Sequence, residues 1–250
     1  MPDIDQQALE TRLNERFLQR VADSAPSILY VFDLETGSNL YVNARITELL
    51  GYTPEEIQNM GEALLPTLMH PEDWAATPRF RAEVLGLADG EFQERQYRMH
   101  RKTGEWRWFQ GRETVFSRDS VGRPRLLLGS ALDITEQRLA EEALRASQTR
   151  FAVAFNTSPI VLTITRVADG RLVEVNDSFA RLSGYSREEA VGKTPLELGL
   201  WLEEEQYHQG LQALLSGRTP REVEARFRLK DGSVRTGLLS ASLLDIAGQA

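Results

Sequence analysis

Apolar and polar positions along this chain follow a helical rhythm and a strand rhythm, and the sequence of the two recurs. Near the N-terminus Leu9, Leu13, Phe17 and Val21 return every four residues, which places them on one face of a helix. Pro26 stops that helix. Residues 28–32 then read as a short strand, 33–39 as a turn containing Thr36, Gly37 and Ser38, and 40–42 as a second strand. Asn43 opens a short helix that ends at Gly51, a C′ glycine. Thr53 caps the next helix, with Pro54 in its first position and Glu55 and Glu56 at the positive end of its dipole. After a helical middle come strand-like stretches at 92–101, 105–116 and 125–132, separated by turns at 102–104 and 119–122. The order β-β-α-α-α-β-β-β predicts an α+β module, one antiparallel sheet with helices on one face.

Sliding the chain against itself by 133 residues brings a second copy into register. Leu29, Val42, Asn43, Leu49, Gly51, Tyr52, Glu55 and Glu56 meet Leu162, Val175, Asn176, Leu182, Gly184, Tyr185, Glu188 and Glu189. Pro26 meets Pro159, and Lys102-Thr103-Gly104 meets Lys230-Asp231-Gly232 after the offset shifts by five. A period this long is a domain duplication, not a solenoid. The second copy predicts strands at 160–165 and 172–175, helices capped by Asn176 and Ser186, and strands at 223–229 and 234–244.

Composition narrows the function. The 250 residues are 41% hydrophobic and 26% charged, which suits two folded domains rather than a disordered chain. A net charge of −8 repels phosphate backbones and anionic lipids, so neither nucleic acid nor a membrane is an expected partner. The absence of cysteine removes disulfides, thiolate metal sites and cysteine-based covalent chemistry. No apolar run approaches the roughly 20 residues that span a bilayer. The acidic N-terminus is not a secretory signal. The expected location is the cytoplasm, either free or as the cytoplasmic part of a larger receptor.

The run from Val42-Asn43 to Leu49 and Gly51-Tyr52, its second copy from Val175-Asn176 to Gly184-Tyr185, the glutamate pairs that follow, the Lys-Thr/Asp-Gly turns and Asp133-Ile134-Thr135-Glu136 together resemble the PAS domain family. His70-Pro71-Glu72-Asp73 resembles the HP-x-D element of one subgroup. The resemblance covers roughly 16–137 and 150–250. It implies, for each module, a cupped five-stranded antiparallel sheet with helices over its concave face. It further implies ligand sensing, dimerisation and relay to an output domain such as a histidine kinase or diguanylate cyclase. The organisation expected is a flanking helix at 1–15, a first module at 16–137, a connector helix at 138–150 and a second module at 151–250. The second module departs from the pattern. Its Gly232 and Gly248 stand where Gly104 and Gly122 stand in the first, and the sequence given stops at Ala250. Asp245-Ile246 is then the approach to the last hairpin, and the final strand is expected to be missing. A fragment of a longer protein, or a partner filling the gap, accounts for this.

The connector, 137–150, lacks Gly and Pro and is rich in helix formers. Ala140, Leu144, Ser147, Phe151 and Ala154 follow 4-3-4-3 spacing, and Glu141 and Arg145 form an i,i+4 pair. Two readings stand: a plain interdomain helix, or a signalling helix that pairs in a parallel homodimer, which the resemblance favours. The relay residues expected are Asp133, Ile134, Thr135, Ala140 and Leu144.

Candidate pocket residues are Tyr30, Asn43, Tyr97, Trp106 and Asn176. The two asparagines suit helix caps as well as ligands. Trp106 and Trp108, with Tyr97 and Phe92, suit sheet packing as well as stacking on a non-covalent flavin. No cofactor is expected. His70, His100 and His208 show no zinc spacing. No phosphate-cradling loop, nucleophile elbow or kinase motif set is present, so no catalytic residue is expected and any output enzyme lies elsewhere.

Overall fold

Helix α1 (Asp3–Ser24) leads into a hairpin of β1 (Ile28–Asp33) and β2 (Ser38–Val42). Four short helices follow: α2 (Arg45–Leu50), α3 (Pro54–Met60), α4 (Leu64–Leu68) and α5 (Pro71–Leu85). Then come β3 (Gln93–His100), β4 (Trp106–Arg118) and β5 (Pro124–Asp133). The computed structural model describes residues 3–244, with side chains from Leu13 onward except Glu15. It divides into two units, Met1–Glu142 and Ala143–Ala250.

The first unit holds one antiparallel sheet in the order β2-β1-β5-β4-β3. The last strand is central: β5 pairs with β1 from Ile28↔Ala131 to Asp33↔Leu126, and with β4 from Phe109↔Asp133 to Arg118↔Pro124. Strand alternation turns Phe109, Gly111, Glu113 and Val115 inward from β4, and Leu127, Gly129 and Ala131 inward from β5. Ile46, Leu50, Ile57 and Leu68 come down from the helices to meet Ile28, Tyr97 and Phe109. Each such side chain contributes roughly 1.5–3 kcal/mol on burial. The apolar face of α1 meets no core of this kind, since Leu13, Phe17 and Val21 are exposed. The side chain of Leu9 lies outside the described residues.

The repeated motif is one physical device. Gly51 takes a left-handed backbone (φ 84°) and ends α2. The chain then turns into the Thr53 capping box of α3. Lys102 closes the arrangement: its N–H donates to the Leu50 carbonyl at 2.9 Å and its Nζ to Glu56 at 2.7 Å, 5.4 Å from the Tyr52 ring. In the second unit Lys230 does the same with Ser183 (2.9 Å), Glu189 (2.5 Å) and Tyr185 (5.3 Å).

Helix α6 (Thr135–Thr157) is continuous over 23 residues. Ala140, Leu144, Ser147, Phe151 and Ala154 are all exposed along it. Glu141 does not pair with Arg145 as its spacing suggests; its carboxylate instead accepts from Gln137 at 2.9 Å.

The second unit contains β6 (Thr163–Thr165), β7 (Leu172–Val175), α7 (Asp177–Ser183), α8 (Arg187–Ala190), α9 (Glu204–Leu215), β8 (Val223–Arg228) and β9 (Val234–Leu239). These strands form two separate two-stranded sheets, β6-β7 and β8-β9. They correspond to β1-β2 and β3-β4 of the first unit. Among the described residues no strand occupies the place of β5, as the sequence leads one to expect. A cleft of about 850 Å³ stands there, lined by Leu162, Thr163, Phe179, Phe227, Gly237 and Leu239 among others. Both flanking strands are shorter than their sequence predicts. A strand without a ladder on its inner edge has fewer hydrogen bonds to extend it. Asp245 and Ile246 lie outside the described residues.

Candidate functional site

A cavity of about 60 Å³ lies between the helices and the concave sheet face of the first unit. Two glycines make room for it to be polar. Gly129 on β5 faces Tyr30 on one side and Glu113 on the other. A Cβ there would lie 2.1 Å from Cζ of Tyr30. A Cβ on Gly111 would lie 2.6 Å from Cε1 of Tyr97. The two phenol rings therefore lie across the sheet where side chains would ordinarily stand. Tyr30 donates its hydroxyl proton to Oε1 of Glu113 at 2.7 Å. Burial, reinforced by the Glu113 charge, pushes the Tyr30 and Tyr97 phenols up, so both remain protonated donors at neutral pH.

Two arginines complete the lining. Arg95 donates from Nη1 to Thr77 at 2.9 Å, and its guanidinium lies 4.3 Å from the Phe80 ring and 5.0 Å from the Tyr97 ring. Its Nε is buried without a hydrogen-bond partner. Arg81 lies 4.5 Å over the Phe32 ring.

Of the pocket residues expected from sequence, Tyr30 and Tyr97 come together here. Asn43, Trp106 and Asn176 do not line this cavity. Asn43 is buried, and its Oδ1 accepts from the Leu29 N–H at 3.0 Å. Its Nδ2 donates to the carbonyls of Ala22 (2.7 Å) and Ser27 (3.1 Å). Nor does it cap α2, whose N-cap is Ala44 with no side-chain bond. The amide serves as a staple between α1 and β1 instead. Asn176 does cap α7, accepting from Phe179 at 3.0 Å, and also accepts from Leu162 at 3.0 Å. Trp106 is 43% exposed and meets His70 and His100 edge-on at 5.0 and 4.9 Å. Arg81, Arg95 and Glu113 were not singled out by sequence. An acidic residue at an inward position between Gly111 and Val115 is the signal that points to Glu113.

The exit from the sheet is a second cluster. Asp133 accepts from the Thr135 N–H at 2.8 Å, and its other oxygen lies 3.4 Å from Nη1 of Arg107. Thr135 Oγ1 accepts from the Trp108 N–H at 2.9 Å, and the Ile134 N–H donates to the Trp108 carbonyl at 2.9 Å. The Trp108 indole also meets the guanidiniums of Arg98 (5.0 Å) and Arg138 (3.9 Å). Arg98 is held in turn by Asp73 at 2.9 Å and Glu72 at 2.7 Å. His70 caps α5, accepting at Nδ1 from the Glu72 N–H at 3.3 Å. The His70–Asp73 element thus reaches the first turn of α6 through Arg98, Trp108 and Arg138. Ala140 and Leu144, expected to act in relay, lie outside this cluster on the exposed face of α6.

Burial raises the Asp73 carboxyl, but hydrogen bonds from the Arg98 side chain and backbone, with the arginine charge, outweigh it and hold the carboxyl below its ordinary range. A depressed folded value contributes stability above the unfolded value of about 3.9 and loses it as pH falls through the folded value. Asp73→Asn should therefore flatten the acid limb of first-unit stability below about pH 4. Circular dichroism from neutral to acid pH checks this, and an unchanged acid limb would refute it. Among the described residues, no group of three His, Asp or Glu side chains converges as a metal site. No described helix is long and apolar enough to cross a membrane.

Two family models, each described as PAS fold, match residues 39–131 and 149–249. The chain belongs to the PAS family. Its PAS units are a sensory, regulatory module of signal transduction, and sensory PAS domains are generally non-catalytic. The two-component sensor PprA of Pseudomonas aeruginosa is 33% identical over 85% of this chain and 22% of its own length. A methyl sulfide methyltransferase-associated sensor of Methanosarcina acetivorans is 30% identical over 65% of the chain and 16% of its own length. The chain thus spans about a fifth of these relatives. A sensory box histidine kinase/response regulator of Burkholderia thailandensis matches 54% of this chain and 96% of the solved chain, with 25% identity and a TM-score of 0.43.

Proposed function

We propose that the first PAS unit senses a small molecule in its concave-face cavity and passes the state of its sheet to α6. In this reading the chain works in the cytoplasm as a homodimer and is not itself an enzyme. An output domain in the parent protein, a kinase or cyclase, receives the signal. The carrying observation is the bonding of both Ile134 and Thr135 to the Trp108 backbone, one residue along β4 from inward-facing Phe109 and three from inward-facing Gly111. A shift of β4 relative to the cavity is then a shift of the first turn of α6. The exposed stripe of Ala140, Leu144 and Phe151 supports pairing of that helix. The alternative of a non-covalent flavin finds little support in a 60 Å³ cavity, since ligand clefts of drug-sized molecules run to about 300 Å³ or more.

Sedimentation velocity on the whole chain tests the homodimer. A concentration-dependent dimer is expected, with Leu144→Asp driving it toward monomer by placing a charge in the seam. A wild-type monomer at several hundred micromolar would sink this part of the reading.

A further inference from the structure

The first-unit cavity has two chemically opposite poles, and together they describe a ligand. At one pole Arg95 presents a buried Nε with no partner, and Arg81 lines the same space. Neither guanidinium pairs with a carboxylate among the described residues. At the other pole Glu113, only 9% exposed, accepts a single described hydrogen bond, from Tyr30. Apolar side chains such as Ile57, Leu64 and Met99 close the rest.

We propose that this cavity takes a short carboxylate bearing an adjacent hydrogen-bond donor, a two- or three-carbon hydroxy or amino acid. The inference rests on reading the cavity as the sensing site. Its size sets the length: about 60 Å³ is only a few times the roughly 10–15 Å³ that holds one water molecule, enough for about half a dozen non-hydrogen atoms. Its charge sets the headgroup. A carboxylate matches the planar guanidinium fork, with hydrogen bonds that are short and charge-assisted. A hydroxyl or ammonium on the next carbon then reaches the Glu113–Tyr30 pair as a donor. An apolar ligand leaves both poles without partners, and a simple cation faces two guanidiniums. A carboxylate lacking the donor satisfies only the arginine pole.

The test measures binding to the whole chain by calorimetry, with the first-unit unfolding midpoint as a second readout. The probes are glycolate, glycine, acetate, acetamide and methylammonium. Glycolate or glycine should bind at least about tenfold more tightly than acetate, a difference of about 1.4 kcal/mol. Acetamide and methylammonium should not bind. Arg95→Met, which keeps the packing over Phe80 and Tyr97, should abolish binding. Arg95→Lys should weaken it and guards against a merely misfolded variant. Glu113→Leu should bring glycolate down to the level of acetate. Equal binding by wild type and Arg95→Met overturns the proposal. So does binding of acetamide without carboxylates, which leaves the cavity a sensing site for another ligand class. Binding by none of the probes overturns the ligand class, and a first unit that also ignores a broad small-metabolite panel takes the sensing reading with it.

Discussion

Phe109→Ala should lower the stability of the first unit by about 3–5 kcal/mol. Phe109 is fully buried on β4, where it faces Tyr97 on β3 and Asp133 on β5. Its ring stacks on Tyr97 at 6.1 Å with 25° between the planes. Truncation removes the transfer energy of a full aromatic ring and leaves a void in a core that relaxes only partly. The strands on either side, β3 and β5, are each tied to β4 by a hydrogen-bonded ladder through Phe109, so the backbone has little freedom to collapse inward. Urea unfolding of the whole chain followed by tryptophan fluorescence reads the effect, because Trp74, Trp106 and Trp108 lie in the first unit and Trp201 in the second. A loss below about 1.5 kcal/mol would mean that neighbouring side chains refill the space, contrary to the packing described.

Asn43→Ala should cost about 3 kcal/mol, more than the roughly 1 kcal/mol of a lost helix cap. Three backbone groups depend on this amide: the Leu29 N–H and the carbonyls of Ala22 and Ser27. The side chain is 1% exposed, so water does not readily replace it. Each orphaned group keeps part of its desolvation penalty, and the end of α1 loses its tie to β1. Asn43→Asp is expected to be nearly as damaging. It keeps the acceptor for Leu29 but turns a carboxylate oxygen toward the Ala22 and Ser27 carbonyls. Chemical denaturation gives the energy, and faster hydrogen exchange at the Leu29 amide locates it. A cost near 1 kcal/mol with unchanged exchange would return Asn43 to the minor role of a cap.

Much of the fold was written in local chemistry. Gly51, Thr53-Pro54 and the Lys102 turn each specify their own conformation, and the structure places each as its residue type requires. Alternation along β3 to β5 was equally plain. Asn43 misled because a cap and a long-range staple use the same side chain, and only tertiary structure separates them. The candidate site was half visible. Tyr30 and Tyr97 stand out as aromatics on strands, whereas Arg81 and Arg95 look like the many other arginines of an acidic, charged surface. Their difference lies in what they pack against, Phe32 and Phe80, from elements distant in sequence. The aromatic group of Trp106 and Trp108 was readable as a cluster but not its place. Outward alternation puts both on the far side of β4 from Phe109 and Gly111.

The central position of β5 also fixes an order of events in time. Strand β1 must wait for a neighbour that lies roughly 100 residues later, a contact of high sequence separation and slow closure. The β1–β2 hairpin and the β3–β4 hairpin are local and can pair early. Each then carries one open inner edge until residues 124–133 arrive to zip them together. Insertion of β5 is thus the step that converts two hairpins into one sheet.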